Sequence, residues 1–499
     1  MLWRNPLFIR FCRSQLRLKK ALFWYALVLI GSAFTLSIIY VPQVVRGTEP
    51  LHAARMSLVP LLIIQGILLL FLGTGSVAGG ITREKVEKVL NYQRLSPLPI
   101  HQKIMGYLFG LPVREYVLFA ITLPFLLFVL VVGRIPASAF LPYYIILFTS
   151  TLLYHFTGLV AGMISTKWRW SARISQGLII LLYFVLPQLS HIGLVFLEFL
   201  TVRPVFTEKI LPLVARYGEG NQEMLGLLAG QSVPLFRLTV SGTGFSFFIQ
   251  VALICLFARI VARKWRSDSV PAIGKPMALV TFLVFCVMSL GNIWPNLTRA
   301  DNALDIFQSN GDLENSIAIA VLPLVLAVTA TALACVLMTS CLADPQRFRQ
   351  GLIRARRFGA DRLSSWADAA AGYWITQINA LVLAAVLVIA YHALYRAGYF
   401  EGMASNPFQA GFLILSSILF LFYFQGLKET FGGGQMGMPL LLHWMLPILG
   451  AILVIAIDTG LREWAILLLA LSPLALLPLS AIQLIPAEQL NDLGPALQR

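Results

Sequence analysis

Acidic residues that could do chemistry gather at one place in this sequence, residues 298–315, between two long apolar segments. The cluster consists of Asp301, Asp305, Asp312 and Glu314. The Asp-x-x-x-Asp spacing would put Asp301 and Asp305 on one face of a helix, where paired carboxylates could exchange protons or hold a metal. We interpret the cluster as part of a solvated outer loop, and we keep a membrane-embedded lipid-processing enzyme as the weakest alternative.

Three ionisable residues fall inside apolar segments, where a charge is costly and often marks a transport path. Arg114 and Glu115 lie about ten residues into one predicted membrane span, and His155 lies in the next. A position on the path between helices is one hypothesis for all three. The alternative is structural: Arg114 and Glu115 grip a neighbouring helix or reach the membrane surface, and His155 is a packed polar residue.

The sequence carries no motif for binding a nucleotide or a metal. The phosphate-binding pattern Gly-x-x-x-x-Gly-Lys-Ser/Thr is absent. Residues 432–437 are rich in glycine but lack the Lys-Ser/Thr pair, and we interpret them as a flexible turn. The five cysteines show neither Cys-x-x-Cys spacing nor histidines at metal-ligand spacing. We therefore expect no cofactor and no catalytic residue on this chain.

The elements that must position these residues are membrane-spanning helices. The chain is 58% hydrophobic and 12% charged, whereas soluble domains are about 25% charged. Every span must be helical, because an open strand edge in a bilayer would leave backbone groups unpaired. The predicted fold class is therefore an all-α polytopic helix bundle. Its twelve predicted spans have approximate cores at residues 21–42, 57–81, 104–132, 140–164, 175–199, 243–264, 276–297, 315–341, 372–395, 408–428, 438–458 and 463–484.

The distribution of basic residues orients the predicted bundle. With the N-terminus inside, 27 Lys and Arg residues fall in inner segments and 10 in outer segments, so the positive-inside rule predicts that both termini are cytoplasmic. The net charge of +16 then reflects topology and attraction to anionic membrane lipid, and it requires no nucleic-acid partner. Residues 3–20 mix aromatic and basic side chains, which predicts a helix lying in the inner membrane interface.

A weak internal repeat divides the chain into two halves. Arg94-Leu95-Ser96 recurs as Arg362-Leu363-Ser364, Gly106-Tyr107 as Gly372-Tyr373, and Phe156-x-Gly158-Leu159 as Phe424-x-Gly426-Leu427, at offsets of 268, 266 and 268 residues. Each half holds six predicted spans, an even number, so both halves enter the membrane from the same side and form a parallel repeat. The predicted domains are residues 1–265 and 266–499, joined by a basic linker.

Two charged amphipathic segments occupy matching places in these halves. Residues 82–103 connect the second and third predicted spans, and residues 344–370 connect the eighth and ninth, both on the predicted cytoplasmic side. One interpretation is a pair of surface helices whose basic side chains reach lipid headgroups. The duplication favours the other interpretation, in which both are amphipathic coupling helices that dock a paired cytoplasmic partner.

The first half resembles the membrane subunits of type-2 ABC transporters. In that family an interfacial N-terminal helix leads into span 1, and the loop between spans 2 and 3 carries a motif of the kind Arg-Glu…Gly-Thr…Leu…Ser/Thr-Pro-Leu…Gly-Lys. The matching residues here are Arg83-Glu84, Leu95-Ser96-Pro97-Leu98, and Lys103 ahead of Gly106. Lys88-Val89 stand where the Gly-Thr pair would fall, and the second segment reads Ser364-Ser365-Trp366 instead of Ser-Pro-Leu.

The resemblance implies the transmembrane permease of an ATP-driven exporter, with one chain supplying both halves, in the cytoplasmic (inner) membrane of a bacterium or archaeon. Two separate ATP-binding subunits, which carry ATP and magnesium, would dock beneath the two segments and drive export of a hydrophobic or amphipathic substrate. The docking residues that it implies are Glu84, Arg94, Leu95, Ser96, Pro97, Leu98 and Pro99 in the first segment, and Arg357, Arg362, Leu363 and Ser364 in the second. An ion-coupled secondary transporter is the main alternative, because parallel six-plus-six repeats also occur in that class.

Overall fold

The computed structural model of the chain describes residues 2–165, 168–184, 195–215, 232–267, 270–298, 312–343, 345–359, 363–370, 372–397 and 407–431. The chain divides into two compact units. The first comprises Met1–Ser190, Val195–Val233 and Thr239–Ser269, and the second comprises His191–Leu194, Pro234–Leu238 and Val270–Arg499. The main division falls after Ser269, close to the boundary predicted after residue 265, and the parallel repeat remains a prediction.

Helices form most of the first unit. In chain order they are α1 (Pro6–Gln15), α2 (Leu18–Val45), α3 (Pro50–Gly66), α4 (Gly73–Val86), α5 (Val89–Leu95), α6 (Ile100–Gly110), α7 (Val113–Val132), α8 (Ala137–Ile164), α9 (Trp168–Phe184), α10 (Arg203–Val205), α11 (Leu211–Ala215) and α12 (Gly242–Arg266). Residues Ile67–Leu72 and Phe206–Ile210 are π-helical, and Leu2–Arg4 and Val195–Leu200 are 3-10 helices. A hairpin of two strands, β1 (Ser232–Leu235) and β2 (Leu238–Ser241), precedes α12.

The second unit also consists of helices that pack on one another. Its helices are α13 (Lys275–Thr298), α14 (Asp312–Cys341), α15 (Pro345–Arg357), α16 (Tyr373–Arg396) and α17 (Pro407–Phe431). In the first unit α2 packs on α3 and α7, α3 packs on α7, and α4 packs on α8. In the second unit α13 packs on α14 and α16, and α14 packs on α16 and α17. Helices α16 and α17 also pack on each other, whereas α7 and α8 make no extensive contact, so the duplication of the two halves stays a prediction.

Eight helices in the described residues are long and apolar enough to cross a membrane, so the chain is a multi-pass membrane protein. They are Ala21–Val45, Pro50–Val86, Val113–Val132, Ala137–Ile164, Gly242–Arg266, Lys275–Thr298, Leu322–Cys341 and Tyr373–Arg396. They correspond to predicted spans one to four and six to nine. The tenth predicted span coincides with α17, whose apolar part, Leu413–Gly426, is shorter. The eleventh and twelfth predicted spans and the glycine-rich turn at 432–437 lie outside the described residues.

The third and fifth predicted spans differ from single continuous helices in the described residues. The third, predicted as residues 104–132, consists of α6 and α7, because Leu111 and Pro112 form a turn between them. Proline has no N–H to donate to the carbonyl one turn earlier. Arg114 and Glu115 therefore lie in the first turn of α7, and the expectation that they lie ten residues inside a span was wrong. The fifth, predicted as residues 175–199, is described in part: it is α-helical through Phe184, and Val195–Leu200 form a 3-10 helix.

Close packing of α4 against α8 holds the centre of the first unit together. Gly158 and Gly162 lie one turn apart on α8, and a methyl group at Gly162 would lie 2.2 Å from Cγ2 of Ile81. Small residues at this spacing let two helix backbones approach closely within a membrane. The buried apolar core at this contact includes Val77, Ile81, Phe156, Leu159 and Met163.

Candidate functional site

The connection between α4 and α6, residues 87–99, is a compact loop that we call the first loop. Lys88 has φ 60° and ψ 6°, a left-handed conformation that ends α4 and redirects the chain. The short helix α5 follows, and Ser96–Pro99 then turn the chain into α6. The segment predicted as one amphipathic stretch at 82–103 therefore consists of the end of α4, the first loop and the start of α6.

Apolar side chains of the first loop are exposed to solvent. Leu95 is 85% exposed and Tyr92 is 74% exposed. Pro97 and Pro99 are exposed as well, whereas Leu98 is half-buried and packs on the core of the first unit. Exposed apolar side chains that lie together on a surface often mark a contact with another molecule. Three of the predicted docking residues, Leu95, Pro97 and Pro99, are therefore available for such a contact.

A buried lysine supports the backbone of the first loop. The Nζ atom of Lys103 donates hydrogen bonds to the carbonyl oxygens of Ser96, at 2.8 Å, and Arg94, at 3.4 Å. Carbonyl groups at the end of a helix lack intrahelical partners, and the ammonium group satisfies two of them. Burial lowers the pKa of Lys103 from its ordinary value, because removal from water disfavours the charged form.

Arg94 joins the first loop to α12. Its Nη2 donates to the carbonyl oxygen of Lys264 at 3.1 Å, and its Nη1 donates to Asn91 Oδ1 at 3.1 Å. The Ser96 hydroxyl accepts a hydrogen bond from the Leu98 amide at 3.4 Å. Arg94 and Ser96, both predicted as docking residues, thus contribute to the shape of the loop, while Leu95 between them faces solvent.

Glu84, at the end of α4, connects three elements. Its carboxylate forms an ion pair with Arg10 of α1 and accepts a hydrogen bond from the hydroxyl of Tyr107 on α6. The Tyr107 ring also packs edge-on against Phe11, at 5.2 Å between ring centroids, and Trp265, at 5.0 Å. The Glu84 side chain is 14% exposed, so we assign it to holding α1 in place and not to direct contact with a partner.

Two glycines of α6 allow α1 to pack closely against this helix. A methyl group at Gly106 would lie 2.8 Å from Leu7 Cβ, and one at Gly110 would lie 2.7 Å from Phe11 Cδ2. Asn5 caps α1 by accepting from the Leu7 amide at 3.0 Å, and its own amide donates to the Gln102 carbonyl at 2.6 Å. A helix is therefore present within the predicted residues 3–20, at Pro6–Gln15 and packed on α6, and its position in the membrane interface stays a prediction. Sequence reasoning missed the contact with α6, although the Gly-x-x-x-Gly spacing signals it.

The second unit contains a related arrangement at residues 363–370, which we call the second turn. The buried Nζ of Lys275, at the start of α13, donates to the carbonyl oxygens of Ser365, Ala367 and Ala370 at 3.0, 2.8 and 2.8 Å. Leu363 is half-buried and Ser364 is exposed. Arg357, at the end of α15, is exposed, and Arg362 lies outside the described residues.

The three predicted pathway residues make contacts between helices in the first unit. Arg114 Nη2 lies 2.6 Å from Glu115 Oε1, which also accepts from Ser76 Oγ of α4 at 2.7 Å. The Arg114 guanidinium lies 5.4 Å from the centre of the Trp24 ring. His155 Nδ1 lies 3.0 Å from the Tyr116 hydroxyl, and its Nε2 lies 3.2 Å from the Leu69 carbonyl oxygen in the π-helical turn. These contacts fit the structural alternative, and a transport role for the residues remains a hypothesis.

Comparison with known proteins identifies no related protein. No protein-family model, no curated protein and no solved structure matches this chain. Within the described ranges, no group of three or more His, Cys, Asp or Glu side chains could hold a metal ion. Asp301 and Asp305 of the acidic cluster lie outside those ranges. The first loop, with its exposed tip and buried supports, is the candidate site.

Proposed function

We propose that the chain is the transmembrane permease of an ATP-driven transporter of the type-2 ABC class, which exports a hydrophobic or amphipathic substrate. Separate ATP-binding subunits, with their ATP and magnesium, dock on the first loop. The observation that carries the proposal is the exposed Leu95 on a loop whose backbone is fixed by Lys103 and Arg94.

A fixed loop with an apolar tip has the properties of a docking element. A partner that binds a rigid group loses less conformational entropy than one that must first order a mobile group. Leu95 and Tyr92 provide the apolar contact area, and the prolines on either side of Leu98 restrict the backbone. Leu95 lies between two residues that support the loop, so a force on the tip acts on the whole loop.

The first loop is also joined directly to a membrane-spanning helix, so movement of the loop can be transmitted to that helix. The span Pro50–Val86 ends at the loop, and α6 begins directly after it. Glu84 connects both of these elements to α1. Movement of a docked ATPase would therefore shift α1, α4 and α6 together, and would reach α8 through the glycine contact at Gly162. The chain itself hydrolyses no ATP in this scheme.

The remaining parts of the proposal follow from the resemblance and the predicted duplication. The second unit supplies the other half of the transporter, with the second turn as the counterpart of the first loop. The protein lies in the cytoplasmic membrane of a bacterium or archaeon with its termini inside. The identity of the substrate is a matter for transport experiments, since an apolar interior accommodates lipids, drugs and polymers alike.

The deciding experiment is purification of the Leu95→Asp variant from its native host. We expect loss of a co-purifying subunit that contains the Gly-x-x-x-x-Gly-Lys-Ser/Thr motif and hydrolyses ATP, with normal membrane insertion. Leu238→Asp is the matched control, because Leu238 in the hairpin is 69% exposed and should leave the complex intact. Equal ATPase recovery from both variants contradicts docking at the first loop. Transport that requires a proton gradient and persists without any ATPase supports the ion-coupled alternative.

A further inference from the structure

Helix α15 differs from the first loop in the chemistry of its surface. Its thirteen residues, PQRFRQGLIRARR, include five arginines and no acidic residue. The first loop and the end of α4 are mixed in charge, since Arg83 and Glu87 form an ion pair at 2.8 Å. A partner of α15 must therefore supply negative charge.

The arginines of α15 flank an apolar stripe. At 100° per residue, Phe348, Leu352 and Ala355 fall on one face of the helix. Arg347 and Arg354 fall along one border of this stripe, and Arg349 and Arg356 fall along the other. Arginines that border an apolar face are typical of a helix lying flat in a membrane interface, because their side chains can extend to the headgroups while the stripe enters the acyl boundary.

The apolar stripe is only partly covered by packing within the chain, since Leu352 and Ala355 are half-buried and Phe348 is exposed. Gly351 is the close contact, where a methyl group would lie 2.5 Å from Ala369 Cβ. Phe348 is 36% exposed, and Phe358, directly after the helix, is 90% exposed. Arg349, Arg354 and Arg356 are exposed as well. Apolar and basic groups thus lie side by side on one accessible surface.

Both ends of α15 are tied to the ends of membrane spans. Three residues separate Cys341, the end of α14, from Pro345, the start of α15, so the two ends lie about 14 Å apart at most for an extended chain. The second turn follows α15 and is held by Lys275 at the start of α13. Trp366 of this turn packs edge-on against Trp374 in the first turn of α16, at 4.5 Å between ring centroids. Tryptophan is enriched where spans leave the membrane, so α15 is held close to the level of the membrane surface.

We propose that α15 lies in the membrane interface and binds the headgroups of anionic phospholipids. Arg347, Arg349, Arg354 and Arg356 contact the lipid phosphates, for which the planar guanidinium group is well matched. Phe348 and Leu352 contact the acyl boundary. This role does not depend on the ATPase. It gives the two segments different partners, since the first loop contacts a protein and α15 contacts the membrane.

The test measures phosphatidylglycerol binding to the purified full chain by native mass spectrometry, with phosphatidylcholine as the neutral reference lipid. In the Arg349→Gln/Arg356→Gln variant we expect the apparent Kd for phosphatidylglycerol to rise about fivefold or more for each charge removed, with phosphatidylcholine binding unchanged. The Arg349→Lys/Arg356→Lys variant should regain most of the binding, because it restores the charge.

The matched control neutralises two exposed arginines elsewhere, Arg46 and Arg237, both to Gln, and should bind phosphatidylglycerol like the original chain. Unchanged phosphatidylglycerol binding in the Arg349/Arg356 variant overturns the proposal. An equal loss in the control also overturns it, because the effect would then reflect net charge. If the Arg349/Arg356 variant still binds phosphatidylglycerol but no longer co-purifies with the ATPase, the proposal is also overturned, and this face is assigned to a protein partner.

Discussion

The ammonium group of Lys103 lies 2.8 Å from the main-chain oxygen of Ser96. Lys275 makes a comparable contact in the second unit, where its ammonium group lies 2.8 Å from the main-chain oxygen of Ala367. Each unit thus uses a buried lysine to satisfy several carbonyl groups of a connecting segment. A buried ammonium group is costly unless hydrogen-bonded, so each lysine strongly favours the segment conformation that provides those carbonyls.

Replacing Lys103 by Met should loosen the first loop. Methionine preserves the apolar stem but leaves the carbonyls of Arg94 and Ser96 without their donor, which costs about 1–3 kcal/mol of stability. We expect faster amide hydrogen exchange in residues 92–99 and reduced binding of the ATPase, although Leu95 itself is unchanged. Hydrogen-exchange mass spectrometry of the purified chain measures the first effect.

Lys428→Met is the control for that variant. Lys428 of α17 is also buried and donates to the carbonyls of Met338 and Leu342, at 2.9 and 3.0 Å. Its loss should lower the melting temperature without changing exchange in residues 92–99. If the two variants alter the first loop equally, Lys103 has no specific role in shaping it.

Replacing Lys88 by Gly should stabilise the protein. Lys88 has φ 60°, a left-handed conformation that costs a residue with a Cβ atom about 1–2 kcal/mol, and glycine adopts it freely. We expect a gain of about 1 kcal/mol in the free energy of unfolding. The family motif has Gly-Thr at about this position, where the present chain has Lys88-Val89.

The Lys88→Ala variant separates backbone strain from loss of the lysine side chain. Alanine removes the charge and keeps the Cβ, so it should not reproduce the gain measured for glycine. Thermal unfolding in a fixed detergent compares the two. Equal melting temperatures for the Gly and Ala variants would show that the conformation of Lys88 is not strained.

The ion pair between Arg10 and Glu84 should be energetically coupled. The Glu84 side chain is 14% exposed and also accepts from Tyr107, so removal of Arg10 leaves a largely buried carboxylate with one partner fewer. A double-mutant cycle with Arg10→Met and Glu84→Gln should give a coupling energy of about 1–2 kcal/mol, within the range for residues in one network.

The exposed pair Arg83–Glu87 provides the comparison for this cycle. Its side chains are 68% and 49% exposed at a spacing of four residues, so its coupling energy should be much smaller than that of Arg10 and Glu84, because water screens exposed charges. Cleavage within residues 1–20 by added protease should also be faster in the Arg10 variant, because α1 loses its link to α4. Equal coupling in the two pairs would contradict the assigned role of Glu84.

Eight of the twelve predicted spans correspond to long apolar helices in the described residues, because a bilayer demands such helices and the apolar residues are visible in the sequence. Pro112 can be read in the sequence too. The position of Arg114 along its helix, however, depends on whether α6 continues into α7, which the sequence alone does not decide. The contact between Arg10 and Glu84 could not be predicted, because the two residues are 74 positions apart and only packing at Gly106 brings them together. The supporting role of Lys103 likewise depends on which carbonyls the end of α5 leaves unpaired.

The pair formed by the half-buried Arg114 and the buried Glu115 offers a test between a structural role and a transport role. Glu115 is 1% exposed, and its Oε1 accepts from both Arg114 and Ser76. Replacing Glu115 alone by Leu should cost about 1–2 kcal/mol, because Arg114 and Ser76 lose their acceptor while the half-buried guanidinium keeps its access to water and to the Trp24 ring. The double variant Arg114→Met/Glu115→Leu should recover much of that stability, since an apolar pair of similar volume avoids the desolvation of both charges.

Activity of the reconstituted complex then decides the role of this pair. If it only joins α7 to α4, the double variant retains ATP hydrolysis coupled to export once stability is restored. The single variant Arg114→Met should be compared with the double variant, because it leaves the buried Glu115 carboxylate with Ser76 as its hydrogen-bond donor. A double variant that is as stable as the original chain but cannot transport would assign Arg114 and Glu115 to the transport path, and the closely packed first turn of α7 would then be part of a gate.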